Sequence, residues 1–296
     1  MNNNRKEKWT HIVEGVIDRI RVSDYCGPKI AILGSKSATK KALSAERILI
    51  NGKVAKSADF LKNGDQLTVI GSGISKIKKY EIEVPIAYED DYLIIVHKPA
   101  GIAVNGNRYK TLENALADTE VSTKKDALPR PVATHRIDVP TRGLVMLAKT
   151  KSSLIELARL FKEKKIRKKY YAIVHGDASA ISKIDEPIGG KASATLVRTI
   201  TTVPSRVFGH MSLLELSPLT GRTHQLRIHL QSCGHLILGD KEYAAGQKTI
   251  LGKGLFLCAA GLSFTHPFTM KHVNVELDVP GKFARIIKRE KERYNR

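Results

Sequence analysis

One carboxylate stands among cations in Thr134-His135-Arg136-Ile137-Asp138-Val139-Pro140-Thr141-Arg142-Gly143, and directly behind it Leu144 to Ala148 is an uninterrupted apolar run too short for a typical helix. Pro-Thr-Arg-Gly is a turn signal, so the stretch reads as a loop followed by a buried strand. A carboxylate on such a loop is held by a rigid scaffold yet open to a ligand. The same Asp can equally be a turn residue whose side chain accepts from nearby backbone amides. Two other stretches carry chemistry-bearing groups. In Lys169-Tyr170-Tyr171-Ala172-Ile173-Val174-His175, strand alternation puts Tyr170, Ala172 and Val174 on one face and Tyr171, Ile173 and His175 on the other, so one tyrosine faces the centre, as packing or as chemistry. Further on, Thr223 is placed to cap a helix whose Leu226 and Leu230 point inward, with His224 and Arg227 three apart on a neighbouring face. His224, His229 and His235 lack the spacing and acidic partner of a zinc hydrolase, so no ligand role is read for them.

The elements that must position these groups follow from periodicity. Leu93 to Val96, ended by Lys98-Pro99-Ala100-Gly101, reads as a strand, and residues 118 to 130 as a polar surface loop. After Thr150, Ser152 or Ser153 can cap a helix with Leu154, Leu157, Ala158 and Phe161 as its apolar stripe. The run Lys162 to Lys169 that follows is either a charged helix end or a phosphate-facing patch. Nearer the N-terminus, Ser37 to Ile50 has helical spacing with Lys36, Lys40, Lys41 and Arg47 around it, Asn51-Gly52 marks a hairpin, and Lys62-Asn63-Gly64-Asp65 turns into a strand from Gln66 to Ile70.

Composition bounds the partners. The chain of 296 residues carries 50 Lys plus Arg against 29 Asp plus Glu, a net +21, which favours a polyanion such as nucleic acid or, less often, an anionic membrane surface. No apolar run is long enough for a transmembrane helix, and Met1 to Thr10 is polar with no signal-type segment behind it, so a cytoplasmic protein without a membrane partner is expected. Cys26, Cys233 and Cys258 are isolated, which predicts core thiols with no disulfide and no structural metal. The first 80 residues hold 16 Lys plus Arg against seven Asp plus Glu. The expected organisation is a basic N-terminal tail (1–14), a small basic module (15–71), a basic linker (72–80), a larger domain (81–281) and a basic, helical and solvated C-terminal tail (282–296).

These residues resemble a known family. His-Arg-Ile-Asp with Thr-Arg-Gly-Leu and Ala-Lys-Thr is similar to the His-Arg-Leu-Asp, Thr-Ser-Gly-Leu and Ala-Lys-Thr signature of the RluA-type RNA pseudouridine synthases, departing at Ile137 for Leu and at Arg142 for Ser. Val96 to Val104 resembles the opening strand and turn of the same enzymes. Lys168 to Ala172 matches their Lys-x-Tyr-x-Ala pattern with Tyr170, Leu214 to Tyr243 their second signature with Arg227 as its basic site residue, and Phe256 to Pro267 their closing strand. Residues 15 to 71 are more loosely similar to the alpha-L RNA-binding module named after ribosomal protein S-four. The resemblance implies an α+β protein: a pseudouridine synthase fold, with a mixed, mainly antiparallel sheet and flanking helices, behind a small alpha-L domain.

It also implies a reaction, the isomerisation of uridine to pseudouridine in RNA without a cofactor. Ribosomal RNA of the large subunit is the expected substrate, transfer RNA the alternative, and the protein is expected to act as a monomer. Breaking the bond from ribose to ring nitrogen develops positive charge at the sugar, which an ionised carboxylate can stabilise or attack. Asp138 is that carboxylate by resemblance, and Arg227 supplies a cation to keep it charged. The uridine must be flipped from its RNA into a pocket, where Tyr170 can stack on it. Arg136, Arg142, Arg222, Lys36, Lys40, Lys41 and Lys98 are the expected RNA contacts. A non-catalytic RNA-binding protein would carry the same charge but gives no reason for Asp138, Tyr170 and Arg227 to stand together in family order. A kinase reading of His-Arg-Ile-Asp fails for want of Asp-Phe-Gly and a Gly-rich loop.

Overall fold

The computed structural model describes residues 7–30, 33, 36–71, 79–106, 108–244, 246, 248–250 and 252–294, of which 7, 27–29 and 71 by their backbone alone. The expected linker falls mostly on 72–78, outside the described residues. The chain divides into two compact units, Met1–Lys78 and Lys79–Arg296.

The first unit contains β1 (Glu7–Ile12), β2 (Ile20–Arg21), α1 (Val22–Lys29), α2 (Lys36–Ser44), β3 (Ile48–Ile50), β4 (Lys53–Val54), β5 (Phe60–Leu61) and β6 (Gln66–Gly71). Four of the strands form a sheet in the order β1-β6-β3-β4, and Val22, Tyr25, Ile30, Leu43, Ile48, Leu61 and Leu67 fill the core against it. The Asn51-Gly52 signal makes the β3–β4 turn, with both residues at positive φ (49° and 81°), the pair that suits the twist of a two-residue hairpin. One expectation is corrected here. The N-terminal "tail" includes β1, which pairs along its whole length with β6, because Trp9 packs on the core while Lys8 stays outside. Alternating Lys, Trp, His and Ile is a strand pattern that its charge concealed.

The second unit contains β7 (Ile86–Glu89), β8 (Leu93–Lys98), α3 (Leu112–Ala115), β9 (Ala127–Ala133), β10 (Arg142–Thr150), α4 (Lys151–Lys162), β11 (Arg167–His175), β12 (Lys183–Ile184), β13 (Thr195–Ser205), β14 (Gly209–Pro218), α5 (Gln225–Ser232), β15 (Leu257–Thr265), β16 (His272–Glu276) and α6 (Gly281–Tyr294). The described strands form one mixed sheet with the main order β12-β13-β14-β11-β15-β10-β8-β7, while β9 adds to β10 and β16 to β15. All of its described pairings are antiparallel except β10 with β15. Gly143 explains how those two strands meet: at φ 121°, a Cβ there would lie 2.1 Å from the Ala259 carbonyl oxygen.

Strand alternation sorts the core into two faces. Leu144, Met146, Ile173 and Cys258 turn toward α4 and α6. Val145, Leu147, Ala172, Val174, Leu257 and Ala259 turn the other way, where Leu112 of α3 and Leu226 and Leu230 of α5 cover them. Tyr170 lies on this second face and Tyr171 on the first.

Four further expectations are corrected. Residues 282–294 are helical as expected, forming most of α6, but not solvated: the helix docks on the sheet through buried Phe283 and Ile286, with buried Glu290 accepting from Ser205 Oγ at 3.0 Å. The apolar stripe is only three residues wide, and the surrounding bases masked it. The cap of α4 is Thr150 rather than Ser152 or Ser153; Thr150 Oγ1 accepts from the Ser153 amide while Ser153 Oγ accepts from the Thr150 amide, a reciprocal capping box. Residues 127–130, read as loop, begin β9. Thr223 does not cap α5, whose N-cap is His224 in the left-handed region. Among the described residues no helix is long and apolar enough to cross a membrane, no group of His, Cys, Asp and Glu is arranged to hold a metal, and the three cysteines are free.

Candidate active site

The loop carrying Asp138 is tied to the sheet on both sides. His135 Nε2 accepts from the Met146 amide at 2.9 Å, and Thr134 Oγ1 donates to the Met146 carbonyl at 3.0 Å, so the start of the loop is clamped to β10. His135 is a neutral acceptor because burial drives its pKa down to about 3, helped by the charge of Lys168. Buried Ile137 plugs the loop into the core, and the Thr141 amide donates to the Asp138 carbonyl at 3.1 Å, closing the turn that Pro-Thr announced. Beyond it, the Val139 carbonyl accepts from the Gly101 amide at 2.8 Å. Asp138 itself stays partly open, its side chain 21% exposed.

Arg227 reaches Asp138 from α5. It is buried, and its donors are divided among three carboxylates. Nε and Nη2 form a side-on pair with Asp240 at 2.7 and 2.8 Å, Nη2 also donates to Glu242 at 2.9 Å, and Nη1 lies 3.6 Å from Asp138 Oδ2. Burial works against a charge on Arg227, but Asp240 and Glu242 outweigh it and raise its pKa above the ordinary arginine value. For Asp240 burial likewise pushes the pKa up, yet Arg227 and the amides of Tyr243 and Glu242 hold it below the usual carboxylate range. The result is a permanent cation with one free edge aimed at Asp138.

The Tyr170 phenol has its pKa raised by burial and then by the negative charge of Asp138, so it remains a neutral hydroxyl on the same sheet face. His224 completes the surround. Its Nε2 lies 3.7 Å from Asp138 Oδ1, its Nδ1 is 2.9 Å from the Tyr243 hydroxyl, and its backbone sits at φ 53°. The Tyr243 ring in turn lies under the Arg227 guanidinium, 4.7 Å from centroid to Cζ.

The expected RNA contacts divide. Arg136 is exposed beside Asp138, and Arg222 is exposed with Nε and Nη2 donating to the Ala192 carbonyl at 3.2 and 3.0 Å. Lys36, Lys40 and Lys41 are exposed on α2 in the first unit, Lys36 paired with Asp24 at 2.8 Å. Two expectations are corrected. Lys98 is wholly buried; its ammonium donates to the carbonyls of Pro99, Ile102 and Val139 at 3.0, 2.9 and 3.3 Å, so it braces the Asp138 loop from beneath instead of meeting a ligand. Arg142 shares the alternation of Leu144 and Met146, and its charge acts on His97, Cys258 and Lys282, on the face away from Tyr170. Its register, one strand residue before Gly143, decides this. Asp240, Glu242 and Tyr243 were not singled out from the sequence; they lie 13 to 16 residues past Arg227 with no periodicity linking them to it.

This arrangement holds a part-exposed carboxylate beside a buried guanidinium and an un-ionised phenol, a set suited to stabilising charge on a sugar and holding a flat base. Comparisons with known proteins give the family. The family model described as RNA pseudouridylate synthase matches residues 92–232, the span that holds Asp138, Tyr170 and Arg227. The chain is 35% identical over 229 residues to ribosomal large subunit pseudouridine synthase D of Zymomonas mobilis, covering 68% of this chain and 70% of that one. It is 31% identical to ribosomal large subunit pseudouridine synthase C of Buchnera aphidicola, covering 91% and 93%. Among solved structures, human RNA pseudouridylate synthase domain containing 4 shares the fold with a TM-score of 0.56 at 23% identity, over 70% of this chain and 93% of that one. A carboxylate, a phenol and a guanidinium gathered on one sheet face thus lie within a sequence match that runs nearly end to end, and the chain belongs to the RNA pseudouridylate synthase family, an RNA-modifying isomerase.

Proposed function

We propose that Asp138 is the catalytic carboxylate of this isomerase, Arg227 the cation that orients it, and Tyr170 the ring on which the flipped uracil rests. The observation that carries the reading is the free Nη1 edge of Arg227 lying 3.6 Å from Asp138 while its other donors are taken by Asp240 and Glu242. In the reaction the C1′–N1 bond breaks, the uracil turns, C1′ joins C5, the C5 proton leaves and N1 takes one up, so atoms balance with no cofactor. Asp138 offsets the positive charge of the sugar as the first bond opens. Tyr170, kept un-ionised, can bond to the uracil without adding a second negative charge.

The target we propose is large-subunit ribosomal RNA, the substrate that the names of the Zymomonas and Buchnera relatives carry. The net +21 suits such a polyanion. The first unit, with Lys40 and Lys41 exposed on α2, serves as an alpha-L RNA-binding module, and Arg136 and Arg222 contact the strand beside the site. The reading is completed by action as a monomer, in the cytoplasm with ribosomal RNA.

The test compares wild type with Asp138→Asn on unmodified ribosomal and transfer RNA, scoring pseudouridine by carbodiimide primer-extension stops and binding by filter retention. Stops in large-subunit RNA made by wild type and lost in the variant, with retention unchanged, are expected. Stops confined to transfer RNA would replace the target; stops persisting in Asp138→Asn would remove Asp138 from its role.

A further inference from the structure

A cleft of about 270 Å³ opens next to the Asp138 loop, lined by Gly101, Ala103, Arg108, Tyr109, Lys110 and Val139. None of these side chains takes part in the site just described. Its wall is built to stay in place. The Val139 carbonyl is bonded to the Gly101 amide, and Ala103 bridges to Thr111. Asn114 Nδ2 donates to the carbonyls of Arg108 and Tyr109 at 3.2 and 2.9 Å, and Arg130 holds Asn114 from behind at 3.0 Å. The Tyr109 hydroxyl donates to the Lys79 carbonyl at 2.7 Å, and its ring meets Tyr80 edge-on with centroids 5.4 Å apart. Secured at its hydroxyl and edge, Tyr109 is still 48% exposed and so presents a fixed ring surface to solvent. Val139, 39% exposed, continues that apolar surface. The charged lining residues are both cations, and neither Arg108 nor Lys110 has a carboxylate partner among the described residues.

We propose that this cleft is a subsite for the nucleotide next to the target uridine. Its base lies on the Tyr109 ring and Val139, and its phosphate meets Arg108 and Lys110. The inference rests on the placement of the target at Asp138. Val139 is one residue, about 3.8 Å, along the same backbone. A strand that delivers one base to Asp138 therefore brings its neighbour to the cleft. An aromatic surface flanked by unpaired cations is the pattern by which proteins hold single-stranded nucleic acid, by stacking and phosphate attraction and without reading base edges. The described lining offers an aromatic ring, an apolar surface and two cations, groups that supply affinity and register.

Tritium release from RNA labelled at uracil C5, measured at a series of RNA concentrations, and filter retention across a salt series would be run on four proteins: wild type, Tyr109→Ala, Tyr109→Phe, and Arg108→Ala with Lys110→Ala. Tyr109→Ala is expected to raise KM by roughly 5- to 150-fold, the range for one base on one aromatic ring, with kcat near that of wild type. Tyr109→Phe, which keeps the ring and loses only the tether, recovers most of that affinity. The double variant binds with a salt dependence shallower by about 0.7 for each phosphate it no longer neutralises. Wild-type KM and salt slope in both Tyr109→Ala and the double variant would overturn the subsite, as would Tyr109→Phe being as weak as Tyr109→Ala. If wild type releases no tritium, the role given to Asp138 fails, while retention still decides the subsite, because it needs binding alone.

Discussion

Two buried cations act on Asp138, and they are opposites in how their charge is kept. Arg227, on α5, has its guanidinium satisfied by Asp240 and Glu242 and its pKa raised. Lys98, at the end of β8, is bonded only to carbonyl oxygens, and burial pushes its pKa down to about 8 although the charge of Asp138 partly restores it. A guanidinium can serve several carboxylates at once through its fork of donors, whereas an ammonium is a point charge that loses its proton readily when desolvated. The wall of the site is therefore permanently charged, and its floor is conditionally so.

The sharpest way to break this contrast is to remove each cation. Arg227→Met strands the carboxylate of Asp240, 1% exposed, beside no counter-charge, and should cost about 3–5 kcal/mol of stability. Lys98→Met takes a donor from the carbonyls of Pro99 and Ile102, while that of Val139 keeps the Gly101 amide, and it abandons no buried anion, for about 1–3 kcal/mol. Urea unfolding of both variants at pH 7 decides, and a larger loss at Lys98 than at Arg227 would reverse the comparison.

The second prediction uses pH. The depressed pKa of Lys98 means that below pH 8 the folded state carries an ammonium it would rather lose, a constant cost. Between pH 8 and the unfolded value near 10.5 the unfolded chain binds more protons than the native one, so native stability must rise with pH. Wild type should gain about 3 kcal/mol relative to Lys98→Met across that window. Equal pH dependence of the two proteins would show that Lys98 holds its proton as firmly as a surface lysine does.

Much of this is legible in the sequence alone. The alternation in Lys169 to His175 separates Tyr170 from Tyr171, because a strand has a period of two whatever surrounds it. Asn51-Gly52 is a local signal with a local cause. What stays hidden depends on neighbours remote in sequence. Lys98 looks like a turn lysine until Ile102 and Val139 close over it. Arg142 resembles a cation added to the site until the register of β10 against β15 carries it to the other face. Asp240 gives no sign of its tie to Arg227, since a loop partner follows no repeat. The C-terminal stretch is legible as a basic helix, but its three apolar positions among so many bases read as solvated, and only the sheet beneath shows that they are enough to dock it.

The smallest expected effect belongs to His224. A non-glycine residue at φ 53° at a helix N-cap holds about 1 kcal/mol or more of backbone strain, and no side-chain cap bond offsets it. What that geometry secures is the ring, with Nδ1 at the Tyr243 hydroxyl and Nε2 toward Asp138. If the strain is kept for the sake of the ring, stability and activity should part company here. His224→Gly should be more stable than His224→Ala by about 1 kcal/mol, because glycine adopts this region freely. Both variants should lose activity alike, roughly tenfold in kcat, because both lack the group that shares Asp138 with Arg227. Thermal unfolding together with tritium release from C5-labelled RNA measures the two effects. A glycine variant that is more stable and as fast as wild type would make the left-handed turn a structural accident and leave Arg227 as the residue that orients Asp138.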